Sequence, residues 1–205
     1  WAGLVELNRN TDEDDPNCYM ELTENVVNKA ARTGGTFLHS SRMNPGKVPK
    51  EKVPPQYKDK YQKDVNDLTD EVLKNIDYLN LDYLIPVGGD DTLSYAVRLY
   101  REGVKVVGIP KTMDNDVAGT DYCIGFSTCV TRTIMMTNIL RTTAGSHERV
   151  MVLEVFGRYA GFTAMLPTMA GAANRCGIPE HRVDIEQLTD LLMKDRSKHP
   201  SNYSV

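Results

Sequence analysis

A strand–glycine–helix–strand pattern between residues 82 and 109 constrains the fold of this chain most strongly. An apolar run, DYLIPV, ends at Gly88-Gly89; a helical pattern follows, and a β-branched run, VKVVGI, then ends at Ile109. Two strands joined in this way form a βαβ unit, whose strands lie parallel in a sheet covered by helices. Ligands of such sheets gather at the carboxyl ends of the strands. The pattern therefore predicts an α/β fold with a binding site where these two strands end.

A second strand–glycine–helix pattern follows in the C-terminal half. The apolar run 149–155 (RVMVLEV) ends at Gly157, and it stands between helical patterns over 127–141 and 159–170. Further helical patterns span 21–33, 65–79 and 93–101. Residues 43–62 are rich in Lys and Pro, which is typical of a loop on the surface.

Composition and charge narrow the possible functions. The chain has 205 residues, a formal net charge of -4 and 40% hydrophobic residues, as is usual for a globular protein. This balance argues against nucleic acid or an anionic membrane as a partner. No apolar run reaches the roughly 20 residues that span a bilayer, and the N-terminal residues lack the pattern of a secretory signal. We therefore expect a cytoplasmic location.

The turn after the first strand, Gly88-Gly89-Asp90-Asp91-Thr92, contains the elements of a phosphate site. Two glycines let backbone N–H groups approach a phosphate, and the following helix directs its positive N-terminal end to the same place. Mg²⁺ binds carboxylate and phosphate oxygens together, so Asp90 is a candidate metal ligand. The alternative is a plain turn in which an aspartate caps the helix.

The turn after the second strand, residues 110–116 (PKTMDND), combines two carboxylates, a lysine and a hydroxyl group. Phosphoryl transfer to an alcohol needs a base for the hydroxyl proton, a cation that neutralises developing charge, and a metal ligand. The alternative is a solvated turn, which Asp and Asn also favour. Because the two motifs follow successive strands, the pair favours an active site.

With these two motifs the chain resembles the phosphofructokinases. The other segments that resemble the family are 34–42 (GGTFLHSSR), 146–149 (SHER), 157–158 (GR) and 175–180 (RCGIPE). The resemblance implies a three-layer α/β fold that is built on a parallel sheet and divided into two lobes. Residues 1–125 would bind the phosphoryl donor and residues 126–205 would bind fructose 6-phosphate. It also implies that the fold is incomplete at both ends.

The resemblance further implies transfer of a phosphoryl group to the 1-hydroxyl of fructose 6-phosphate. Asp114 matches the catalytic base that takes the hydroxyl proton, and Asp90 matches the carboxylate linked to Mg²⁺. Thr112 and Asp116 match residues that position the reacting end of the sugar. Lys111 would place a compact cation at the terminal phosphates of the donor.

A second group of residues is expected to bind the substrates. It comprises Arg42 and Gly89 at the phosphates, and Phe156, Gly157, Arg158 and Glu180 around the sugar phosphate. Arg149 matches an arginine that serves the 6-phosphate of a neighbouring subunit, so the resemblance implies a homo-oligomer with a shared sugar site. Three residues depart from common relatives, namely His39 in place of glycine, Phe156 in place of methionine and Tyr159 in place of histidine.

Asp91 and Lys111 predict that the phosphoryl donor is pyrophosphate. The ATP-dependent relatives have glycine at both positions, which leaves room for the α-phosphate and nucleoside. An aspartate fills that room and repels a phosphate by about 4 kcal/mol, at about 4 Å and an effective dielectric constant near 20. Pyrophosphate is shorter and would not reach Asp91. An ATP-dependent enzyme and a catalytically silent subunit are the two alternatives.

Overall fold

In the computed structural model, residues 1–10, 16–31 and 33–205 are described. Their α-helices are α1 Ala2–Glu6, α2 Glu24–Ala30, α3 Thr69–Tyr78, α4 Asp90–Arg101, α5 Phe126–Ser146, α6 Phe162–Met169 and α7 Ile185–Lys198. Their strands are β1 Val48–Pro49, β2 Val65–Asn66, β3 Val87–Gly88 and β4 Ile109–Pro110, and short 3₁₀ helices cover Pro45–Lys47, Lys50–Lys52 and Pro55–Tyr57. None of the helices in this part of the chain is long and apolar enough to cross a membrane.

The described residues form two compact units. The first comprises Trp1–Pro86 and Asp91–Gly108, and the second comprises Val87–Asp90 and Ile109–Val205. The predicted division into a donor lobe and a sugar lobe at residue 125 concerns ligand binding, and it stays a prediction.

The first unit has an apolar core to which both α3 and α4 contribute. α3 buries Val72 and Ile76 on one face, and α4 buries Tyr95 and Leu99. These pairs are four residues apart, which is the spacing that places side chains on the same face of a helix. Val5 of α1 is buried in the same core.

The segment 43–62 also contributes to this core. Val48, Val53 and Tyr57 are buried in it. The segment forms β1 and three short 3₁₀ helices, and the predicted surface loop is wrong for these buried residues. Their apolar side chains alternate with exposed lysines, so the chain turns one face inward while the charged groups stay in water.

A buried carboxylate on α3 links three parts of the first unit. Glu71 forms ion pairs with Arg9 at 2.7 Å, Lys60 at 2.7 Å and Lys74 at 3.2 Å, and its side chain is only 4% exposed. Burial opposes the ionisation of Glu71, but the hydrogen bonds from Lys60, Arg9 and Lys74 outweigh burial and lower its pKa to about 2. A buried charge is tolerated when it is paired in this way.

β3 and β4 pair in parallel, as the strand–glycine–helix–strand pattern predicts. The paired residues are Val87 with Ile109 and Gly88 with Pro110, and an isolated parallel bridge joins Leu84 to Val106 in the first unit. The intervening helix α4 begins at Asp90, three residues earlier than predicted. Because the strands are parallel, the turns 88–92 and 110–116 leave from the same edge of the sheet.

In the second unit, α5 packs on α6. Phe126 and Phe162, the first residues of these helices, meet edge to face with their ring centroids 6.1 Å apart. The predicted regular strand over 149–155 is wrong, since within the described residues it forms a parallel bridge only between Val150 and Ser204. A strand needs a neighbour that satisfies its N–H and C=O groups along its whole length, and this segment has one at a single end.

The predicted helices are present with shifted ends. The 21–33 pattern corresponds to α2, although position 32 lies outside the described residues. The helix predicted over 65–79 is α3, which starts later, at Thr69, because Val65 and Asn66 pair with β1 in an antiparallel ladder. The 159–170 pattern likewise starts at Phe162, after a turn that ends at Gly161.

Candidate active site

Residues 88–90 of the first predicted turn and residues 110–116 of the second lie side by side in the second unit. The N–H of Lys111 donates a hydrogen bond to the carbonyl of Gly88 at 2.9 Å. A Cβ on Gly89 would lie 3.5 Å from the Cβ of Thr112 and 3.8 Å from its hydroxyl oxygen. Gly89 and the hydroxyl of Thr112 are therefore close enough to contact the same ligand.

Asp90 and Asp91 are the first two residues of α4. Carboxylates at this position interact favourably with the positive end of the helix dipole, so the alternative role of an aspartate at the helix start has a physical basis here. Both side chains are exposed. Exposure leaves the carboxylate of Asp90 accessible to a cation.

The described residues contain no group of three or more His, Cys, Asp or Glu side chains placed to hold a metal ion. Mg²⁺ is commonly held by one or two carboxylates together with phosphate oxygens of the substrate and water. An exposed Asp90 at the end of β3, next to a glycine turn, fits that mode of binding. The residues present therefore suit a Mg²⁺ ion that arrives with a phosphate ligand.

Asp114 is the buried carboxylate of the site. Asp114 is 5% exposed, and its Oδ1 is buried without a hydrogen-bond partner among the described residues. Burial raises the pKa of Asp114, the charge of Asp116 raises it further, and the charge of Arg158 acts in the opposite direction. A buried acceptor oxygen without a partner is costly, and a cleft carboxylate whose pKa is shifted by burial and a nearby charge is a candidate for a functional site.

Two side chains hold the second motif in shape. The hydroxyl oxygen of Thr112 accepts a hydrogen bond from the N–H of Asp114 at 3.2 Å. Asn115 has a left-handed φ of 55°; its side chain donates to the carbonyl of Asp121 at 3.1 Å and accepts from the N–H of Cys123 at 2.8 Å. Sequence reasoning missed this role of Asn115, although Asn is a residue that tolerates left-handed conformations.

The turn at Gly157 approaches its own backbone closely. A Cβ on Gly157 would lie 2.5 Å from the carbonyl oxygen of Ala160, so only glycine fits. Arg158 follows with a left-handed φ of 49°, and its guanidinium lies 5.3 Å from the ring centroid of Tyr159. The Thr163 hydroxyl donates to the carbonyl of Phe156 at 2.5 Å and ties the turn to α6. Thr163 is a second residue that sequence reasoning missed.

Glu180 contacts the end of this turn. Its Oε1 accepts a hydrogen bond from the N–H of Gly161 at 2.7 Å, and this bond lowers the pKa of Glu180. The structure thus brings Glu180 to the segment that carries Gly157 and Arg158. Its predicted contact with the sugar stays a prediction.

The remaining predicted residues belong to other segments of the chain. Arg42 is exposed in the first unit, ahead of the 3₁₀ helix Pro45–Lys47. Arg149 is exposed in the second unit, where its N–H donates to the carbonyl of Ala144 at 3.0 Å. His39 has a left-handed φ of 60°, which is the conformation that glycine adopts without strain.

The whole chain, residues 1–205, matches the family model described as phosphofructokinase. The chain belongs to the phosphofructokinase family. Among its relatives it is 35% identical over 189 residues to "ATP-dependent 6-phosphofructokinase 3" of Streptomyces coelicolor. It is 36% identical over 194 residues to a pyrophosphate–fructose 6-phosphate 1-phosphotransferase of Dictyoglomus thermophilum. The names of these phosphofructokinases thus divide between the two donors.

These matches cover 92% and 95% of this phosphofructokinase chain but 48% of each relative. The chain therefore spans about half the length of the curated relatives it matches. A crystal structure titled pyrophosphate-dependent phosphofructokinase from Marinobacter aquaeolei aligns with a TM-score of 0.66 and 20% identity, covering 89% of this chain and 44% of that one. The predicted phosphofructokinase-like α/β fold is confirmed by this likeness.

Proposed function

We propose that the protein carrying this chain is a pyrophosphate-dependent 6-phosphofructokinase. It would transfer a phosphoryl group from pyrophosphate to the 1-hydroxyl of fructose 6-phosphate, giving fructose 1,6-bisphosphate and phosphate. The observation that carries the proposal is the buried Asp114, whose Oδ1 has no hydrogen-bond partner among the described residues and whose pKa is raised. It belongs to the motif whose Thr112 lies next to Gly89. Such a carboxylate is suited to accept a proton from an alcohol.

In this mechanism the carboxylate of Asp114 takes the proton of the sugar 1-hydroxyl. The sugar oxygen then forms a bond to the terminal phosphorus of pyrophosphate while the bridging P–O bond breaks, and inorganic phosphate leaves with the bond's electron pair. A raised pKa brings Asp114 closer to the pKa that makes a base efficient near neutral pH. Thr112 and Asp116 would orient the reacting end of the sugar, and Lys111 would bind the terminal phosphate of the donor.

Mg²⁺, bound through Asp90 and the donor phosphates, would neutralise charge that develops on the transferring group. Gly89 would let the backbone approach those phosphates, and Arg42 would contact the transferring one. The remaining residues of the proposed sugar site, apart from the shared Arg149, are Phe156, Gly157, Arg158 and Glu180.

The choice of pyrophosphate rests on Asp91 and Lys111. Asp91 is exposed in the first turn of α4, immediately after the proposed metal ligand. A negative charge here opposes the longer polyphosphate of ATP, whereas a short diphosphate avoids it. Lys111 is exposed directly after β4 and brings a point charge that suits terminal phosphates.

The test is a coupled assay on the full-length protein with fructose 6-phosphate and Mg²⁺, in which pyrophosphate and ATP are compared as donors. We expect kcat/KM for pyrophosphate to exceed that for ATP by roughly a thousandfold, which is what about 4 kcal/mol of discrimination gives. A higher kcat/KM for ATP would identify an ATP-dependent enzyme. Substrate binding without turnover by either donor would identify a silent subunit.

A further inference from the structure

The exposed side chain of Glu180 bonds the backbone of Gly161 and leaves no room for a side chain there. Its Oε1 accepts the Gly161 N–H at 2.7 Å. A Cβ on Gly161 would lie 2.7 Å from the Glu180 Oε2 and 2.4 Å from the Cβ of Ile178. Both carboxylate oxygens, and the residue two positions earlier, thus lie against this one buried glycine.

Gly161 ends the turn that carries Arg158. The N–H of Ala160 donates to the carbonyl of Gly157 at 2.9 Å, which closes the turn. Arg158 has a φ of 49°, a left-handed conformation that costs free energy for a residue with a side chain. Such a conformation persists when the surrounding contacts enforce it.

Arg158 in turn acts on the proposed catalytic base. Its charge favours the ionised form of Asp114, against the effects of burial and of Asp116. Arg158 therefore lies within electrostatic reach of Asp114, on the turn whose far end Glu180 holds. A displacement of this turn would move the guanidinium away from the site.

We infer that Glu180 is a positioning residue of the sugar-phosphate site, which holds Arg158 in place by bonding Gly161 and does not itself contact the sugar. This inference rests on the proposed function. It differs from the direct sugar contact that the resemblance implies, because one carboxylate oxygen is committed to a backbone N–H and the other packs on the same residue.

The experiment is a double-mutant cycle on the full-length protein, with the Kd for fructose 6-phosphate measured by calorimetry. We expect Glu180→Ala to weaken binding about tenfold, and Glu180→Gln to recover most of the loss because its amide oxygen also accepts a hydrogen bond. On an Arg158→Ala background, Glu180→Ala should cost less than about twofold. The matched control Glu186→Ala, at an exposed residue in the first turn of α7, should leave the Kd unchanged.

Equal losses for Glu180→Ala on both backgrounds would overturn the inference, because they would mean that Glu180 acts independently of Arg158. Hydrogen exchange at the Gly161 amide measures the Gly161–Glu180 hydrogen bond in the absence of substrate. Its protection should be lost in Glu180→Ala and kept in Glu186→Ala, and unchanged protection in Glu180→Ala would also overturn the inference. If the wild-type protein bound no fructose 6-phosphate, the proposed function would fail, and amide exchange alone would decide whether Glu180 holds the turn.

Discussion

Asp114 is buried in a place that disfavours its charge. Its Oδ1 has no hydrogen-bond partner among the described residues, and burial together with Asp116 raises its pKa. A residue chosen for stability alone would be apolar or paired at this position. The cost is understandable if the carboxylate is there to accept a proton.

We therefore predict that Asp114→Asn lowers kcat at least a hundredfold, within the range that a general base contributes, while the Kd for fructose 6-phosphate changes little. The wild-type kcat/KM should fall as the pH is lowered through the raised pKa of Asp114, because only the ionised carboxylate accepts the proton. Steady-state kinetics across pH, with calorimetry for binding, measure both effects. Near-normal turnover by Asp114→Asn would remove Asp114 from the role of base.

The motifs at the strand ends indicated Asp90, Thr112 and Asp114 as candidates, and the resemblance supplied their roles, which stay predictions. The structure brings Thr112 to Gly89. Sequence reasoning did not find Asn115 or Thr163. Their roles depend on partners at Asp121, Cys123 and Phe156, and hydrogen bonds of this kind are set by how the loop folds. The spacing of residues in the sequence does not predict these hydrogen bonds.

At the scale of elements, the two glycine turns of the site differ in how much room they have. A Cβ on Gly157 would meet the Ala160 carbonyl at 2.5 Å, whereas a Cβ on Gly89 would make an ordinary contact with Thr112 at 3.5 Å. Gly157 is therefore required by the fold of its turn. Gly89 is not, which is consistent with a role in approaching a ligand.

This contrast gives a matched pair of variants. Gly157→Ala should lower the free energy of unfolding by about 1–3 kcal/mol, as is usual when a side chain is forced into a packed site. Gly89→Ala should leave it unchanged within about 0.5 kcal/mol but raise the KM for pyrophosphate roughly tenfold, since its methyl group would obstruct a phosphate. Denaturant unfolding and donor kinetics measure the two effects, and destabilisation by Gly89→Ala would contradict the argument.

The ion pairs of Glu71 give a second prediction at this scale. Glu71→Gln should lower the free energy of unfolding at pH 7 by roughly 2 kcal/mol, a value reduced by the exposure of the two lysines. The folded pKa of Glu71 is about 2, below its ordinary value of 4.5. Its stabilising effect is therefore complete above about pH 4.5 and is lost as the pH falls toward 2.

Urea unfolding at several pH values tests this prediction. The difference between wild type and Glu71→Gln should shrink below pH 4.5. Glu51→Gln serves as a control, because Glu51 is exposed on the 3₁₀ helix Lys50–Lys52. A difference that stays constant from pH 7 to pH 3 would show that the charge of Glu71 does not stabilise the fold.

The elements themselves were predictable to different degrees. The pairing of β3 with β4 and the helix between them follow from local periodicity. The burial of the 43–62 segment and the absence of a regular strand over 149–155 do not, because both depend on which distant residues lie alongside. Local composition predicted a surface loop in one case and a strand in the other, and tertiary contacts decided otherwise.

For the whole molecule, the family and the fold are established by similarity, while the choice of donor is a proposal. The chain spans about half the length of its curated relatives, and the sharing of a sugar site through Arg149 stays a prediction for the full-length protein. Relatives named for ATP are 34% to 36% identical to this chain, and relatives named for pyrophosphate are 36% to 45% identical over matches of different length. Both kinds of relative match, so the proposal on the donor rests on individual residues.

The decisive measurement is the ratio of kcat/KM for ATP to that for pyrophosphate, in wild type and in the double variant Asp91→Gly with Lys111→Gly. Removing the aspartate relieves charge repulsion and opens space, and removing the lysine weakens the hold on a short donor. We expect the ratio to rise by roughly tenfold to a hundredfold. An unchanged ratio, or one that falls, would contradict the account of donor choice.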